Sequence, residues 1–191
     1  VHGAEVLGAR EHGAQGRVDA LVTDRPGLGL MGRSADCPLI LIADRAGKAV
    51  GMAHASWRGT VSRIAAAMVR SLADRFEVRP EDCVAAICPS AGPCCYEVGP
   101  EVREAAIAGI GLRAREFFGP SADRWRFDLW QANAAELVGS GLRTENIHVA
   151  GICTICRGDL FPSYRREGAA AGRFAAVIAL RSADGASRGS A

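Results

Sequence analysis

Long apolar runs are missing from this 191-residue chain. The most apolar stretch, Cys37 to Ala43, is stopped by Asp44-Arg45, far short of the roughly 18 residues that a membrane-spanning helix needs. A helical span is therefore excluded, and a soluble protein is expected. A dominant charge is missing as well: 23 Lys and Arg against 21 Asp and Glu leave a formal net charge of +2. Bulk electrostatics then give no reason to expect nucleic acid or a membrane surface as a partner. No basic segment followed by an apolar one opens the chain, so no signal peptide is visible. The seven cysteines are odd in number and scattered, which does not suit a disulfide framework. They point to a reducing compartment, where thiols act as ligands, nucleophiles or core residues, and the expected localisation is cytoplasmic. Neither an internal repeat nor a linker divides the chain.

What is present is enough apolar material, 49% of residues, for one substantial core. A single domain over residues 1–181 is expected, with a small, polar, disordered tail at 182–191. Because the chain opens on Val1 rather than Met, an upstream segment is expected to be missing. Short strands are expected near Ala4 to Leu7, Val18 to Thr23 and Leu28 to Met31. Cys37 to Ala43 reads as a strand buried on both faces, and the turn Asp44-Arg45-Ala46-Gly47 returns it into Lys48 to Ala55 as a hairpin. Thr60 is placed to cap a helix running to Phe76, with Val61, Ile64, Ala65, Met68, Val69 and Leu72 on one face. Further helices are predicted from Pro100 to Ala108 and from an Asp128 cap to Val138, and further strands at Cys83 to Cys88, Arg124 to Phe127, Asn146 to Ile152 and Phe174 to Leu180. Leu112 to Ser121 carries little pattern. The short turns between strands favour antiparallel pairing, hence an α+β fold with a mixed sheet and flanking helices.

The chemistry-bearing residues gather around the hairpin. His54 follows Cys37 by 17 residues, and two arms of similar length bring both to the same end. Cys and His are the usual ligands of zinc, and three protein ligands leave a fourth position for water or substrate. The plainer alternative is a small core thiol beside a hydrogen-bonded strand histidine. Trp57-Arg58-Gly59 stands at the strand-to-helix junction, where helix N–H groups and the Arg58 guanidinium suit an anion such as phosphate. Equally, Arg58 can stack on Trp57. Cys153-Thr154-Ile155-Cys156 is a CxxC sequence that no second CxxC or clustered His completes, so a structural role is expected. It also lacks the His-x-Glu and Pro-Cys-x-x-Cys signature of nucleobase deaminases. Adjacent Cys94 and Cys95 are expected to point apart, with at most one facing any site. Arg165 and Arg166, beside Tyr164, are surface charge or else a place for a phosphate or a flat ring.

Taken together, Val1-His2-Gly3, Val18-Asp19-Ala20-Leu21-Val22-Thr23, Ala35-Asp36-Cys37-Pro38, His54-Ala55-Ser56-Trp57-Arg58-Gly59, Gly92-Pro93-Cys94-Cys95-Tyr96-Glu97-Val98-Gly99, Phe127-Asp128-Leu129-Trp130 with Asn133, and Ser163-Tyr164-Arg165-Arg166 resemble the YfiH-type family. Its members have been called laccase-domain or polyphenol oxidase proteins and are described as purine nucleoside phosphorylases. The resemblance runs in order to about Leu180. It implies a YfiH-like fold related to the cysteine hydrolase fold of deamidating toxins. It also implies a zinc site of His2, Cys37 and His54, with Cys37 and His54 catalytic, and phosphorolysis of adenosine, inosine, guanosine and methylthioadenosine with adenosine deamination as a second reaction. Purine nucleosides and phosphate are then the partners, with Arg58 and Arg165 the residues placed to bind them.

This chain departs from the pattern at Ser56 and Cys88, where the family has Gly, and it is expected to lack the N-terminal strands that precede Val-His-Gly in the family. Two other enzymes fit the same side chains. One is a metal-free pair, with Cys37 as nucleophile and His54 as base, acting on an amide in cell-wall precursors. The other is a copper-dependent, laccase-like polyphenol oxidase, since two His and a Cys also form the equatorial set of a blue-copper centre. Four histidines in the whole chain are too few for a conventional multicopper cluster.

Overall fold

The structure, a computed structural model, describes residues 3–14, 16 and 18–181, and of Ser121 only the backbone. His2 and the tail at 182–191 lie outside the described residues. In chain order the strands and helices are β1 Val6–Gly8, β2 Ala20–Thr23, β3 Leu30–Ser34, β4 Leu39–Asp44, β5 Val50–His54, α1 Trp57–Val61, α2 Ile64–Phe76, β6 Cys83–Ile87, β7 Glu97–Val98, α3 Pro100–Ile110, β8 Phe118–Ser121, β9 Arg124–Phe127, α4 Leu129–Gly139, β10 Ile147–Val149, α5 Tyr164–Glu167 and β11 Phe174–Ile178.

Six strands form the central sheet in the order β1-β2-β5-β4-β6-β10. Its inner pairs are antiparallel, while β1–β2 and β6–β10 are parallel. The sheet is therefore mixed, and with its flanking helices the fold is α+β. One face carries α2 and α4 over a core of Val22, Ile40, Ile42, Ile64, Met68, Leu72, Ile87 and Leu137. On the other side Leu28, Leu30, Leu39, Val50 and Met52 form a second cluster, against which Phe174, Ala176 and Ile178 of β11 pack. Ile40 and Ile42 thus face one layer and Leu39 the other, which is why the β4 sequence reads as continuous apolar rather than alternating. β3 and β11 pair antiparallel as a separate ribbon. A three-stranded sheet, β7-β9-β8, closes over Phe117, Phe118 and Phe127.

The helix expected from a Thr60 cap is instead two helices. Ser56 caps the first, its Oγ accepting from Gly59 N at 3.1 Å, and Arg63 breaks the chain with a left-handed φ of 63° before α2 begins. Tertiary pairing accounts for the break: Arg63 Nε donates to the buried carboxylate of Glu136 on α4 at 2.9 Å. Thr60, far from capping, is buried and accepts from Asn133 Nδ2 at 3.0 Å. Two other helix starts agree with the sequence: Pro100 opens α3, and Asp128 caps α4 by accepting from Gln131 N at 2.9 Å. The unpatterned stretch after α3 forms a 3-10 turn over Leu112–Phe117 and then β8. Strand β10 is shorter than expected, ending at Val149.

Candidate active site

Cys37 and His54 emerge at one end of the central sheet. Leu39 lies opposite His54 in the β4–β5 register, and Ala55 N donates to Pro38 O at 2.8 Å, carrying the ladder one step further. At the far end Gly47, with φ 74°, and the Asp44 carboxylate, accepting from Lys48 N at 2.9 Å, fix the turn that sets this register. The end of β5 is tied sideways as well, because His54 N donates to Asp19 O at 2.8 Å.

Asp19 is a residue that sequence reasoning did not single out. It is 3% exposed, and its Oδ1 is buried with no hydrogen-bond partner among the described residues. A buried carboxylate oxygen left unpaired is costly, and such groups concentrate at functional sites. Gly3 runs past the same place: a Cβ on Gly3 would lie 3.3 Å from Asp19 Oδ2, and one on Gly59 would lie 3.1 Å from Gly3 O and 3.4 Å from His54 O. The residue following His2 is thus packed against the segment that carries His54.

Cys37 is half-buried. Burial pushes its thiol up to about 11, the Asp36 carboxylate adds to this, and Arg165 and Arg173 oppose it. Asp36 is the hub of the surrounding loops. It holds φ at 90°, and its Oδ1 and Oδ2 accept from Thr154 Oγ1 and Arg165 N, both at 2.7 Å. Its carbonyl accepts from Ala91 N at 2.8 Å, and Ser34 Oγ donates to the Cys37 carbonyl at 2.7 Å. Three separate segments, at Ala91, Thr154 and Arg165, are in this way fixed to the loop that carries Cys37.

Arg165 lies with its guanidinium 4.6 Å from the Tyr96 ring centroid and donates to Glu97 O at 2.8 Å. Tyr96 is buried, and burial pushes its phenol up to about 12 against the pull of Arg165. Arg166 has a different job, since it donates to the carbonyls of Thr154, Ile155 and Phe161 and so braces the backbone. Arg58 stacks on Trp57 at 4.3 Å. The helix N–H groups expected to join Arg58 at an anion are already occupied, because Gly59 N and Thr60 N both donate to Ser56.

A cavity of about 700 Å³ opens between β2, β3 and β5. Its wall includes His54, Asp19, His12, Arg33, Leu30 and Met52. Cys37, Arg58 and Arg165 do not line it. The chain around Cys94 also differs from expectation. Pro93 to Cys95 form a turn rather than extended chain, and both Cys94 and Cys95 face Cys156, at 3.6 and 3.3 Å.

Comparison with known proteins bears on the fold and the family. Purine nucleoside phosphorylase YlmD of Geobacillus stearothermophilus is 37% identical, over 95% of this chain and 70% of its own length. Purine nucleoside phosphorylase YfiH of Escherichia coli is 36% identical, over 94% and 71%. Adenosine deaminase RL5, from an unknown prokaryotic organism, is 39% identical, over 82% and 60%. The crystal structure of Bacillus licheniformis hypothetical protein YfiH superposes with a TM-score of 0.86 at 31% identity, covering 95% of this chain and 72% of that one. For YlmD from Geobacillus stearothermophilus the TM-score is 0.83 at 34% identity, with coverage of 95% and 72%. The chain thus spans roughly two thirds of the length of these relatives. A family model described as multi-copper polyphenol oxidoreductase laccase matches residues 1–181, and the chain belongs to that family, alongside the YfiH and YlmD proteins.

Proposed function

We propose that residues 1–181 act as one unit, a zinc-dependent purine nucleoside phosphorylase with adenosine deaminase activity, working in the cytoplasm on adenosine, inosine, guanosine and methylthioadenosine. The observation that supports this reading is that Cys37, just before β4, and His54, at the end of β5, lie at the same end of the β4–β5 pair, where His54 N donates to the carbonyl of Asp19, whose buried Oδ1 has no hydrogen-bond partner among the described residues. Thiol and imidazole are the side-chain types that zinc favours. Zinc would be held by Cys37 and His54, with His2 as the third ligand, and copper is the less favoured metal for the same residues. Bound there, the metal would polarise a phosphate oxygen or lower the pKa of a bound water. Asp19 would serve as the carboxylate that orients a ligating imidazole, a common arrangement behind metal-bound histidines.

The cavity beside His54 lies within the size range of small-ligand pockets and would take the nucleoside. Arg165, held flat on Tyr96, and Arg58, held on Trp57, would supply fixed positive charge for phosphate. In phosphorolysis a phosphate oxygen bonds to the sugar C1′ as the C1′–N bond breaks, and the base leaves with a proton. In deamination water replaces the amino group, and ammonia leaves.

The test is phosphate-dependent release of free base from adenosine and inosine, measured with zinc content for the parent and for Cys37→Ser. The variant is expected to lose turnover. Unchanged release in Cys37→Ser would overturn the proposal.

A further inference from the structure

The sulfurs of Cys94, Cys95, Cys153 and Cys156 all lie within 4.8 Å of one another. Two of these side chains, Cys94 and Cys156, are exposed. A free cysteine normally packs as a small buried apolar group, so exposed thiols drawn into a cluster are not explained by core packing. Four thiolates around zinc at about 2.3 Å sit roughly 3.8 Å apart at the corners of a tetrahedron. The contacts from Cys156, 3.6 Å to Cys94 and 3.3 Å to Cys95, already approach that spacing.

The backbone also brings the two turns close together around the cluster. Gly92 N donates to Cys153 Sγ at 3.3 Å, reaching across from the turn that carries Cys94 and Cys95. A backbone N–H aimed at a sulfur is a common feature around thiolate ligands. Gly92 is needed for the approach: a Cβ there would stand 2.6 Å from the Trp130 ring and 3.1 Å from Cys153 Cβ. Positive charge is close at hand, since Arg166 is fixed on the carbonyls of Thr154 and Ile155 inside the CxxC sequence.

We propose that Cys94, Cys95, Cys153 and Cys156 form a structural zinc site that clamps the Gly92–Tyr96 turn to the Cys153–Cys156 turn. It is distinct from the Cys37–His54 site and does not depend on the activity proposed for that site. All four corners are protein sulfur, so no position remains for substrate, which is the mark of a structural centre. The clamp acts on the neighbouring site through Thr154, bonded to Asp36, and through Tyr96, which carries Arg165.

The experiment uses the full chain with Cys37→Ser as background, so that the other proposed site offers no thiolate. Elemental analysis is expected to find about one zinc per chain in this background, falling at least tenfold when Cys156→Ser is added, as for a structural site missing a ligand. Cobalt titration of the Cys37→Ser protein is expected to give intense thiolate-to-cobalt charge-transfer absorption. A second measurement needs no further variant: zinc released by a thiol-modifying reagent should track modification of Cys94, Cys95, Cys153 and Cys156 in peptide mass maps. Zinc retained in full by the Cys156→Ser chain, or a metal-free protein with Cys156 in a disulfide to Cys94 or Cys95, would overturn the proposal. Loss of turnover in Cys37→Ser with one zinc retained separates this site from the first.

Discussion

Thr154 Oγ1 donates a 2.7 Å hydrogen bond to Asp36 Oδ1, joining positions 118 residues apart in the chain. Both residues are buried. Thr154→Val keeps the shape and removes the donor, leaving a carboxylate oxygen dry and unpaired, at a cost of about 1–3 kcal/mol. Asp36→Ala should cost more, because it also removes the acceptor for Arg165 N and puts an alanine at a φ of 90°. Urea midpoints for the two variants check the order; a midpoint unchanged in Thr154→Val would show that this bond contributes nothing.

Gly109 reverses the usual rule for helix glycines. Replacing an interior glycine by alanine normally stabilises a helix by about 1 kcal/mol. In α3, however, a Cβ on Gly109 would collide with the backbone carbonyl of Val61 on α1. Gly109→Ala is therefore expected to destabilise by about 1–3 kcal/mol, the range for overpacked sites. Thermal melting decides the sign, and a raised Tm would refute the close α1–α3 contact.

Arg165 offers a test of geometry against charge. Arg165→Lys keeps the positive charge but gives up the planar stacking on Tyr96 and the bond to Glu97 O. If Arg165 positions phosphate, the variant should raise the KM for phosphate by about tenfold, equivalent to about 1.4 kcal/mol. Initial rates at varied phosphate give the answer, and a KM equal to that of the parent would remove Arg165 from the phosphate site.

Cys83 predicts an alkaline loss of stability. Burial, helped by Asp44, Asp82 and Glu81, pushes its thiol from 9.0 up to about 11, and the thiol donates to Arg79 O at 3.7 Å. The folded chain then binds this proton more tightly than the unfolded chain does. Its contribution is complete below pH 9 and falls as pH rises toward 11, by on the order of 2–3 kcal/mol in total. Cys83→Ala should flatten that part of the stability profile, as measured by urea unfolding below pH 9 and near pH 11. A slope identical to that of the parent would place the titration elsewhere.

The hairpin, and with it the placing of Cys37 and His54 at the same end, is legible in the sequence because local signals fix it: an apolar run, a Gly turn and arms of matched length. The same holds for the helix that opens on Pro100 and the one capped by Asp128. The sequence misleads where distant partners decide. Arg63 leaves the helix to reach Glu136, 73 residues away, and nothing near Arg63 marks that choice. Asp19 looks like an ordinary strand-end carboxylate until β2 and β5 are paired. Cys94 and Cys95 look opposed until Pro93 is seen to turn the chain, and the CxxC looks incomplete until that turn is brought to it.

The ribbon of β3 and β11 has a consequence for how the protein is made. Phe174 pairs with Ser34, three positions before Cys37, and Arg165 meets Asp36 across 129 residues. A ribosome delivers the chain from its N-terminus, so the hairpin bearing Cys37 and His54 leaves the tunnel long before its enclosing segments exist. Contacts of such high sequence separation form slowly. The surroundings of the hairpin are therefore expected to assemble late, and a chain released before residue 178 would carry the Cys37–His54 hairpin without a complete β3–β11 ribbon beside it.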